Sequence, residues 1–232
     1  MAATETNVQQ SYTFKASPWS SHSQILNLLP DRGEGRALLD VGCWDGMLAA
    51  RLAERGFIVT GLERQSFPDG HFPASVKLIV TDLHHEIPLI ADRYDYIVCA
   101  DVLEHLLEHA HILKQLRALL KPGGCLLASL PNSGNFYFRM VILSGNFPQD
   151  EKGLFDRTHV HFHTWAGWEQ LFRNAGYTME LANSTPIPFS VVWGVESWFA
   201  ARMELLFWGL GRLWKSMFGY QFIVMAKSAK EC

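Results

Sequence analysis

In the segment LLDVGCWDG, residues 38–46, an apolar run ends in a turn that contains two glycines. The run Ala37–Val41 predicts a buried strand, and residues 47–55 predict a helix that ends at Gly56. Strand, glycine turn and helix in this order are typical of the start of an open α/β sheet. Ligands of such sheets bind beyond the carboxyl ends of the strands, so residues 42–46 are the first candidate binding site.

Apolar runs alternate with helical patterns along the rest of the chain. Further strands are predicted at 57–63, 76–81, 94–100, 125–130, 177–182 and 220–226. Helices are predicted at 19–29, 106–120, 135–143 and 164–175, and residues 121–124 (KPGG) are expected to separate a helix from a strand. Apolar strands that alternate with helices indicate a doubly wound α/β fold, in which a seven-stranded sheet is covered on both faces.

The composition favours a globular, intracellular enzyme. Of 232 residues, 48% are hydrophobic and 19% charged, and the net charge is −3, so we expect a large core, no DNA partner and little affinity for RNA. The cysteines form no C-x-x-C pair, which predicts free thiols in a reducing compartment. We expect no signal peptide and no membrane span, and hence a cytoplasmic protein.

The glycine turn also indicates which nucleotide would bind. Glu63 ends the second predicted strand 21 residues after Gly42, a distance at which an acid can accept hydrogen bonds from ribose hydroxyls. A dinucleotide turn needs glycine at relative positions 1, 3 and 6, which here hold Gly42, Trp44 and Met47. The indole would obstruct a pyrophosphate and the nearby carboxylates would repel it. These features argue against NAD, FAD and ATP, and favour a nucleoside with a cationic tail.

The turn resembles the motif D-x-G-x-G-x-G of class I S-adenosylmethionine-dependent methyltransferases. Asp40, Gly42 and Gly46 match the motif, and Trp44 replaces its middle glycine. The resemblance to the family extends to three further segments: residues 120–124 (LKPGG), 130–132 (LPN) and 155–164 (FDRTHVHFHT). The last of these is similar to a loop in the ubiquinone-biosynthesis and methionine-biosynthesis W types. The resemblance covers residues 35–183 and the last strand, and implies a Rossmann-like methyltransferase sheet.

The resemblance implies S-adenosyl-L-methionine as the cofactor and assigns residues to it. Glu63 would bind the ribose, Asp82 would face the adenine amino group, and residues 100–105 (ADVLEH) would line the methionine end and the reacting methyl group. The expected cofactor-binding residues are Asp40, Gly42, Cys43, Gly46, Glu63, Arg64, Asp82, Leu83, Ala100 and Asp101.

The candidate catalytic residues are Glu104, His105 and His159. An oxygen or nitrogen acceptor must lose a proton, and histidine is the commonest base for that step. Asp101, Glu104 and His105 would share one face of a helical turn. They resemble the E-x-x-E-H of metal-dependent O-methyltransferases, so together with His159 they could hold a divalent metal ion. Helix capping and other purely structural roles remain open as alternatives.

Other histidines flank these candidates. His161 and His163 alternate with apolar residues, so their side chains are expected on the same face as His159. His109 and His111 fall in the long predicted helix, where we expect them at the surface.

Residues 188–219 form an apolar insertion between predicted strands six and seven. It contains four of the eight tryptophans, and Glu196, Glu204, Arg212 and Lys215 fall within about half of a helix circumference. This pattern predicts an amphipathic helix pair. It could be core that covers the sheet, a lid over an apolar acceptor, the face of a homodimer, or a contact with a membrane surface, although few cations lie on its polar side.

The sequence therefore predicts an N-terminal polar segment with a short helix at 1–30 and a methyltransferase domain at 31–232. We expect methyl transfer to an oxygen, with nitrogen second, of a small or lipid-like acceptor. One alternative is a non-catalytic methyltransferase-fold module that binds a partner through residues 188–219. Another is an RNA 2′-O-methyltransferase. The sequence does not identify the acceptor, because acceptor choice depends on variable loops.

Overall fold

The computed structural model describes residues 17–68, 70–192 and 197–229. Its helices are α1 (Ser21–Leu28), α2 (Met47–Glu54), α3 (His109–Leu119), α4 (Phe136–Leu143), α5 (Trp165–Asn174), α6 (Phe189–Val192), α7 (Trp198–Leu213) and α8 (Lys215–Phe218). Its strands are β1 (Ala37–Val41), β2 (Ile58–Glu63), β3 (Val76–Val80), β4 (Tyr94–Ala100), β5 (Leu120–Pro131), β6 (Tyr177–Thr185) and β7 (Gln221–Ser228). A 3-10 turn, Leu103–His105, follows β4.

The strands form one seven-stranded sheet in the order β3-β2-β1-β4-β5-β7-β6. Strands β1 to β5 are parallel, and β7 runs antiparallel to both β5 and β6. The predicted doubly wound seven-stranded sheet is therefore confirmed. The chain passes from β1 outward to β3 and then returns to the other side of β1 as β4. This reversal opens a crevice at the carboxyl ends of β1 and β4, where open α/β sheets bind ligands.

Helices cover both faces of the sheet. Successive side chains of a strand point to opposite faces, so Leu38 packs with α1 and α2, while Leu39 packs with α3 and α5. Both leucines are fully buried. This two-sided burial explains why the central strands are continuous apolar runs, and it fixes the loops that follow the strands at one edge of the sheet.

The long predicted helix at 106–120 is wrong at both ends. The helix begins only at His109, and β5 already begins at Leu120. The predicted break KPGG instead lies within β5, where the register shifts between Tyr94 and Tyr96. A Cβ atom on Gly124 would come within 3.0 Å of three carbonyl oxygens, so the strand can bulge there only with glycine.

The apolar insertion contains α6, α7 and α8, rather than the predicted helix pair. The prediction that Glu204 lies on a polar face is wrong, because the residue is buried. Its Oε1 accepts hydrogen bonds from the backbone N–H and the hydroxyl of Ser190, at 3.0 and 2.8 Å. Glu204 thus joins α7 to α6. Glu196, which we also expected on that face, lies outside the described residues.

Two further sequence predictions concern cysteines and membrane spans. Cys43, Cys99 and Cys125 are free and buried, and Cys232 lies outside the described residues. None of the described helices has the length and apolar composition that crossing a membrane requires.

Replacing Trp168 tests how the sheet and α5 are joined. The side chain is fully buried, and its Nε1–H donates to the Pro131 carbonyl at 2.9 Å. Trp168→Ala should lower the free energy of unfolding by about 3–5 kcal/mol, because it leaves a cavity and an unpaired carbonyl. Trp198→Ala is the control: that ring is 74% exposed and should cost less than about 1 kcal/mol. Urea unfolding measures both, and equal losses would contradict the assigned packing.

Candidate active site

A cavity of about 510 Å³ lies beyond the carboxyl ends of β1, β2 and β4. This volume is within the range of about 300–1,000 Å³ that small-molecule sites occupy. The lining residues come from the end of β1, the glycine turn, the start of α2, the ends of β2 and β4, the loop after β3, α1, the 3-10 turn and the loop before α5. They are His22, Asp40, Gly42, Cys43, Trp44, Asp45, Met47, Leu48, Glu63, Arg64, His84, Ala100, Asp101, Val102, His105, Asp156 and Thr158.

The turn after β1 needs glycine at two positions. Gly42 has φ 67°, and a Cβ atom there would lie 2.6 Å from the Val102 side chain. Gly46 has φ 77°, and a Cβ atom there would meet the Phe72 ring. Trp44 also has a left-handed backbone, with φ 48°, so it keeps a conformation that suits the glycine of the resembled motif. Its side chain lines the cavity without filling it.

Glu63 is buried at the end of β2 and is held by backbone amides. Its Oε2 accepts the Trp44 N–H at 2.9 Å, and its Oε1 accepts the N–H groups of Arg64 and Gln65 at 2.8 and 3.1 Å. A carboxylate has about four acceptor positions, so capacity remains for a ligand. The bonds fix the carboxylate beside the cavity and join the loops that follow β1 and β2.

Asp40 is a second buried carboxyl group on this wall. It is 2% exposed, and its Oδ2 has no hydrogen-bond partner among the described residues. Burial, followed by the negative charge of Glu63, raises the pKa of Asp40 to about 7. An unpartnered oxygen beside a cavity is able to accept a hydrogen bond from a bound molecule.

The side chain of Asp101 accepts hydrogen bonds from three elements of the fold, β5, β7 and α1. Its Oδ1 accepts from the Ser129 hydroxyl at 2.5 Å and from Nε2 of Gln221 at 2.8 Å, and its Oδ2 accepts from the Ser21 hydroxyl at 3.1 Å. Its φ of 55° is unusual for a residue other than glycine. Asp101 lines the cavity, but it is not part of the cluster of potential metal ligands formed by its neighbours.

The remaining expected cofactor residues divide into two groups. Cys43, Arg64 and Ala100 line the cavity. Among the described residues, the lining does not include Gly46, Asp82 or Leu83, so the expected direct contacts of these three are not seen. The side chain of Leu83 is buried in the core. The carboxylate of Asp82 is exposed and accepts the backbone N–H of His84 at 3.0 Å. His84 lines the cavity there, and the sequence did not indicate it.

His105 belongs to a hydrogen-bonded chain that the sequence analysis missed. The Thr158 hydroxyl donates to Oδ1 of buried Asp156 at 2.6 Å. A hydroxyl has only one proton to donate, so Nδ1 of His105 must donate to Thr158, whose Oγ1 and carbonyl lie at 3.0 and 3.1 Å. In a neutral imidazole with this arrangement, Nε2 is the nitrogen that keeps its lone pair. The D-x-T spacing, in which Asp156 also accepts the Thr158 N–H at 2.8 Å, was the available sequence signal.

Glu104, His105 and His159 form one cluster. The two imidazole ring centres are 4.7 Å apart, and the three side chains offer ligand atoms within 4.8 Å of one another. Nε2 of His159 lies 3.8 Å from Oε1 of Glu104. Burial raises the pKa of Glu104, with the charge of Asp101 adding to the shift, and burial together with His105 lowers the pKa of His159 to about 4. Both shifts favour the uncharged forms of the two side chains.

Comparison with known proteins identifies a family. A family model described as a methyltransferase domain matches residues 18–182. The chain is 28% identical over 188 residues to a ubiquinone biosynthesis O-methyltransferase from Acinetobacter baumannii, covering 70% of this chain and 77% of the relative. It is 32% identical over 123 residues to one from Histophilus somni, covering 48% of this chain and 52% of the relative. The chain therefore spans only about half of the length of the second relative.

Solved structures share the fold. An S-adenosylmethionine-dependent methyltransferase from Mesorhizobium loti superposes with a TM-score of 0.60 at 16% identity, covering 89% of this chain and 97% of that one. The 1,6-didemethyltoxoflavin-N1-methyltransferase of Burkholderia thailandensis, which has S-adenosylhomocysteine bound, gives 0.59 at 16% identity, covering 92% of this chain and 79% of that one.

The raised pKa of Asp40 predicts a pH-dependent stability. The group is protonated in both folded and unfolded chains below pH 4, whereas between about pH 4 and 7 only the unfolded chain loses the proton. Asp40 therefore lowers the free energy of unfolding as pH rises through this window, by at most about 1.4 kcal/mol per pH unit. Asp40→Asn should remove that decrease, as measured by urea unfolding from pH 4 to 8. Asp31→Asn, at an exposed site, is the control, and parallel pH profiles for wild type and Asp40→Asn would contradict the assignment.

Proposed function

The chain belongs to the class I S-adenosylmethionine-dependent methyltransferases, and we propose that it methylates an oxygen of a small, lipid-like acceptor. The observation that carries this proposal is the position of His105, which lines the cavity while its Nδ1 is hydrogen-bonded to Thr158, so that Nε2 remains for the acceptor. The names of the relatives in Acinetobacter baumannii and Histophilus somni describe O-methyltransferases of ubiquinone biosynthesis, which also favours oxygen over nitrogen.

The cavity residues fit the cofactor that the family uses. Its lining contains five acids, Asp40, Asp45, Glu63, Asp101 and Asp156, and one arginine, Arg64. This excess of acids suits a ligand with a cationic amino-acid tail and a sulfonium. We assign Glu63 to the ribose hydroxyls, because its backbone hydrogen bonds hold it in position before the ligand arrives. When bound, S-adenosylmethionine supplies an electrophilic methyl group, while the protein supplies orientation and electrostatics.

His105 is the proposed general base. Its Nε2 would accept the proton of the acceptor hydroxyl as the oxygen attacks the methyl group, a role that typically accelerates a reaction about 10²–10⁴-fold. The imidazolium formed in this way would be stabilised through Thr158 by the carboxylate of Asp156, which lies at the far end of the hydrogen-bonded chain. Glu104 and His159 pack behind His105 and would position it.

Aromatic side chains extend from the histidine pair to the protein surface. The ring of His159 is 6.1 Å from that of Phe162, which is 5.3 Å from that of Phe147. Phe147 is 50% exposed, and Met140 and Leu143 of α4 are also exposed. An acceptor with an apolar tail could place its hydroxyl at His105 and its tail along this surface, which supports the lipid-like class.

The insertion offers a second apolar surface that fits this acceptor. The ring of Phe207 in α7 lies 5.4 Å from that of Phe136 in α4, so the two helices adjoin. Trp198, Phe199, Leu205, Leu206 and Leu213 of α7 are all exposed. We propose that this face contacts a membrane surface from which the acceptor is collected, with Arg202 and Arg212 of the same helix beside the lipid headgroups.

Glu63→Ala tests the ribose assignment. The variant should bind S-adenosylhomocysteine more weakly than wild type by about 1–3 kcal/mol, because a buried, charge-assisted hydrogen bond is lost. Isothermal titration calorimetry measures the difference, and NAD should give no heat with either protein. Glu54→Ala provides the control, since that acid lies on the exposed side of α2. Equal affinities of wild type and Glu63→Ala would refute the assignment.

The acceptor class is tested with methyl-labelled S-adenosylmethionine and three acceptor pools: a lipid extract, water-soluble metabolites and RNA. We expect label in the lipid pool, on an oxygen when the product is analysed by mass spectrometry, because the surface beside His105 is apolar. Parallel reactions with EDTA test whether the Glu104, His105 and His159 cluster needs a metal ion. Label on nitrogen or in RNA would overturn the proposal, and S-adenosylhomocysteine binding without any transfer would favour the non-catalytic module.

His105→Asn tests the base with the acceptor found in this way. The variant should lower kcat about 10²–10⁴-fold while leaving S-adenosylhomocysteine affinity close to that of wild type, because only proton removal is lost. Thr158→Val should give a smaller loss and shift the pH profile of kcat, since it removes the hydroxyl that orients Nδ1. Normal turnover in His105→Asn would exclude His105 as the base.

A further inference from the structure

Three histidines meet outside the cavity, on the other side of the 3-10 turn. His109 lies in the first turn of α3, and His161 and His163 lie in the segment that precedes α5. The ring centre of His109 is 3.6 Å from that of His161 and 5.4 Å from that of His163. Each ring offers a nitrogen, and these nitrogens lie within 4.8 Å of one another. This histidine cluster shares no residue with the Glu104, His105 and His159 cluster.

One pair of these nitrogens has the spacing of ligands on a tetrahedral metal ion. The rings of His109 and His161 stack with 30° between their planes, so metal binding would require one of them to turn until its lone pair points at the ion. Zn²⁺–imidazole bonds of about 2.0–2.1 Å imply neighbouring ligand nitrogens about 3.3 Å apart. Nε2 of His109 lies 3.2 Å from Nε2 of His163. A neutral imidazole carries one proton, on one of its two nitrogens. At most one ring can then donate in this contact, and a metal ion would use the lone pairs of both.

Neighbouring groups orient the rings of His161 and His163. Nε2 of His161 is within hydrogen-bond distance of the carbonyls of Leu106 and Leu107, at 3.0 and 3.2 Å. Since a carbonyl can only accept, Nε2 carries the proton and Nδ1 keeps its lone pair. Metal-binding histidines are commonly oriented by such a hydrogen bond to a backbone carbonyl. The His163 ring packs 4.6 Å from the Trp168 ring centre, and a Cβ atom on Gly167 would lie 3.0 Å from its Nδ1.

We propose that His109, His161 and His163 form a binding site for one transition-metal ion of the zinc class, with water at the remaining position. Neutral imidazole suits Zn²⁺, Ni²⁺ and Cu²⁺ better than the oxygen-preferring Mg²⁺ or Ca²⁺. All three side chains are half-buried, so solvent can reach the ion.

The ion would join α3 to the segment before α5, which also contains Thr158 and His159. His161 donates its backbone N–H to the carbonyl of Glu104, at 3.2 Å, as does Val160 at 3.0 Å. His159 and Thr158 immediately precede these residues. Binding of the ion would therefore hold the Thr158–His105 chain in place without contacting the acceptor.

The experiment titrates Zn²⁺ into full-length protein that has been dialysed against EDTA, with calorimetry as the readout and Mg²⁺ as a comparison. Wild type should bind Zn²⁺ and not Mg²⁺, and Co²⁺ should give the intense visible spectrum of a four-coordinate ion. His161→Ala should bind Zn²⁺ at least about tenfold more weakly, and His109→Gln, a change on a different element, should do the same. His111→Ala is the matched control, because this histidine is exposed on the same helix.

His159→Ala separates this site from the Glu104, His105 and His159 cluster. The proposal requires that His159→Ala retain Zn²⁺ binding and the Co²⁺ spectrum. It also requires that Zn²⁺ raise the Tm of wild type but not that of His161→Ala. Circular dichroism and S-adenosylhomocysteine binding establish that each variant is folded. Absence of Zn²⁺ binding in folded wild type would overturn the proposal. Binding that survives in His161→Ala and His109→Gln but is lost in His159→Ala would overturn it as well.

Discussion

The arrangement of the site depends on the hydrogen bonds that the buried carboxylate of Glu63 accepts. This carboxylate accepts hydrogen bonds from the backbone of Trp44, in the loop after β1, and of Arg64 and Gln65, in the loop after β2. The bond to Trp44 requires that residue to turn its N–H inward with a left-handed backbone. The same carboxylate contributes to the raised pKa of Asp40. The carboxylate of Glu63 thus joins the loops after β1 and β2, and it adds to the shift that burial causes in the pKa of Asp40.

The sequence predicted the sheet and the place of the cavity because both are encoded locally. Apolar runs, helix ends and the glycine turn each involve residues close together in the chain, and the carboxyl ends of parallel strands must meet at one edge. Side-chain direction in the connecting loops is not encoded in this way. Leu83 is buried and Asp82 caps a turn, although the family resemblance had placed both at the cofactor. The bulge at Gly124 likewise depends on carbonyls of the neighbouring strand.

The side-chain directions of the histidines were likewise not predictable from the local sequence. Strict alternation predicted one shared face for His159, His161 and His163, but the structure divides them between two clusters. The backbone bends because the His159 N–H donates to the Asp156 carbonyl, and the next two N–H groups both donate to the carbonyl of Glu104. A segment whose amides converge on one acceptor cannot remain extended, so its side chains do not alternate. The prediction that His109 is a surface residue failed for a related reason, since its partners lie more than fifty residues away in the chain.

The two imidazoles beside the cavity are chemically different although their ring centres are 4.7 Å apart. Burial and the neighbouring His105 lower the pKa of His159 to about 4, so this ring is a weak base near neutral pH. Burial also raises the pKa of its neighbour Glu104, and the charge of Asp101 adds to that shift. His105 lines the cavity instead; its Nδ1 donates to Thr158, whose hydroxyl in turn donates to Asp156. A base must reach the acceptor proton and tolerate the charge that it gains. Of the two rings, His105 is the one that lines the cavity, so we assign the base to His105 and a positioning role to His159 and Glu104.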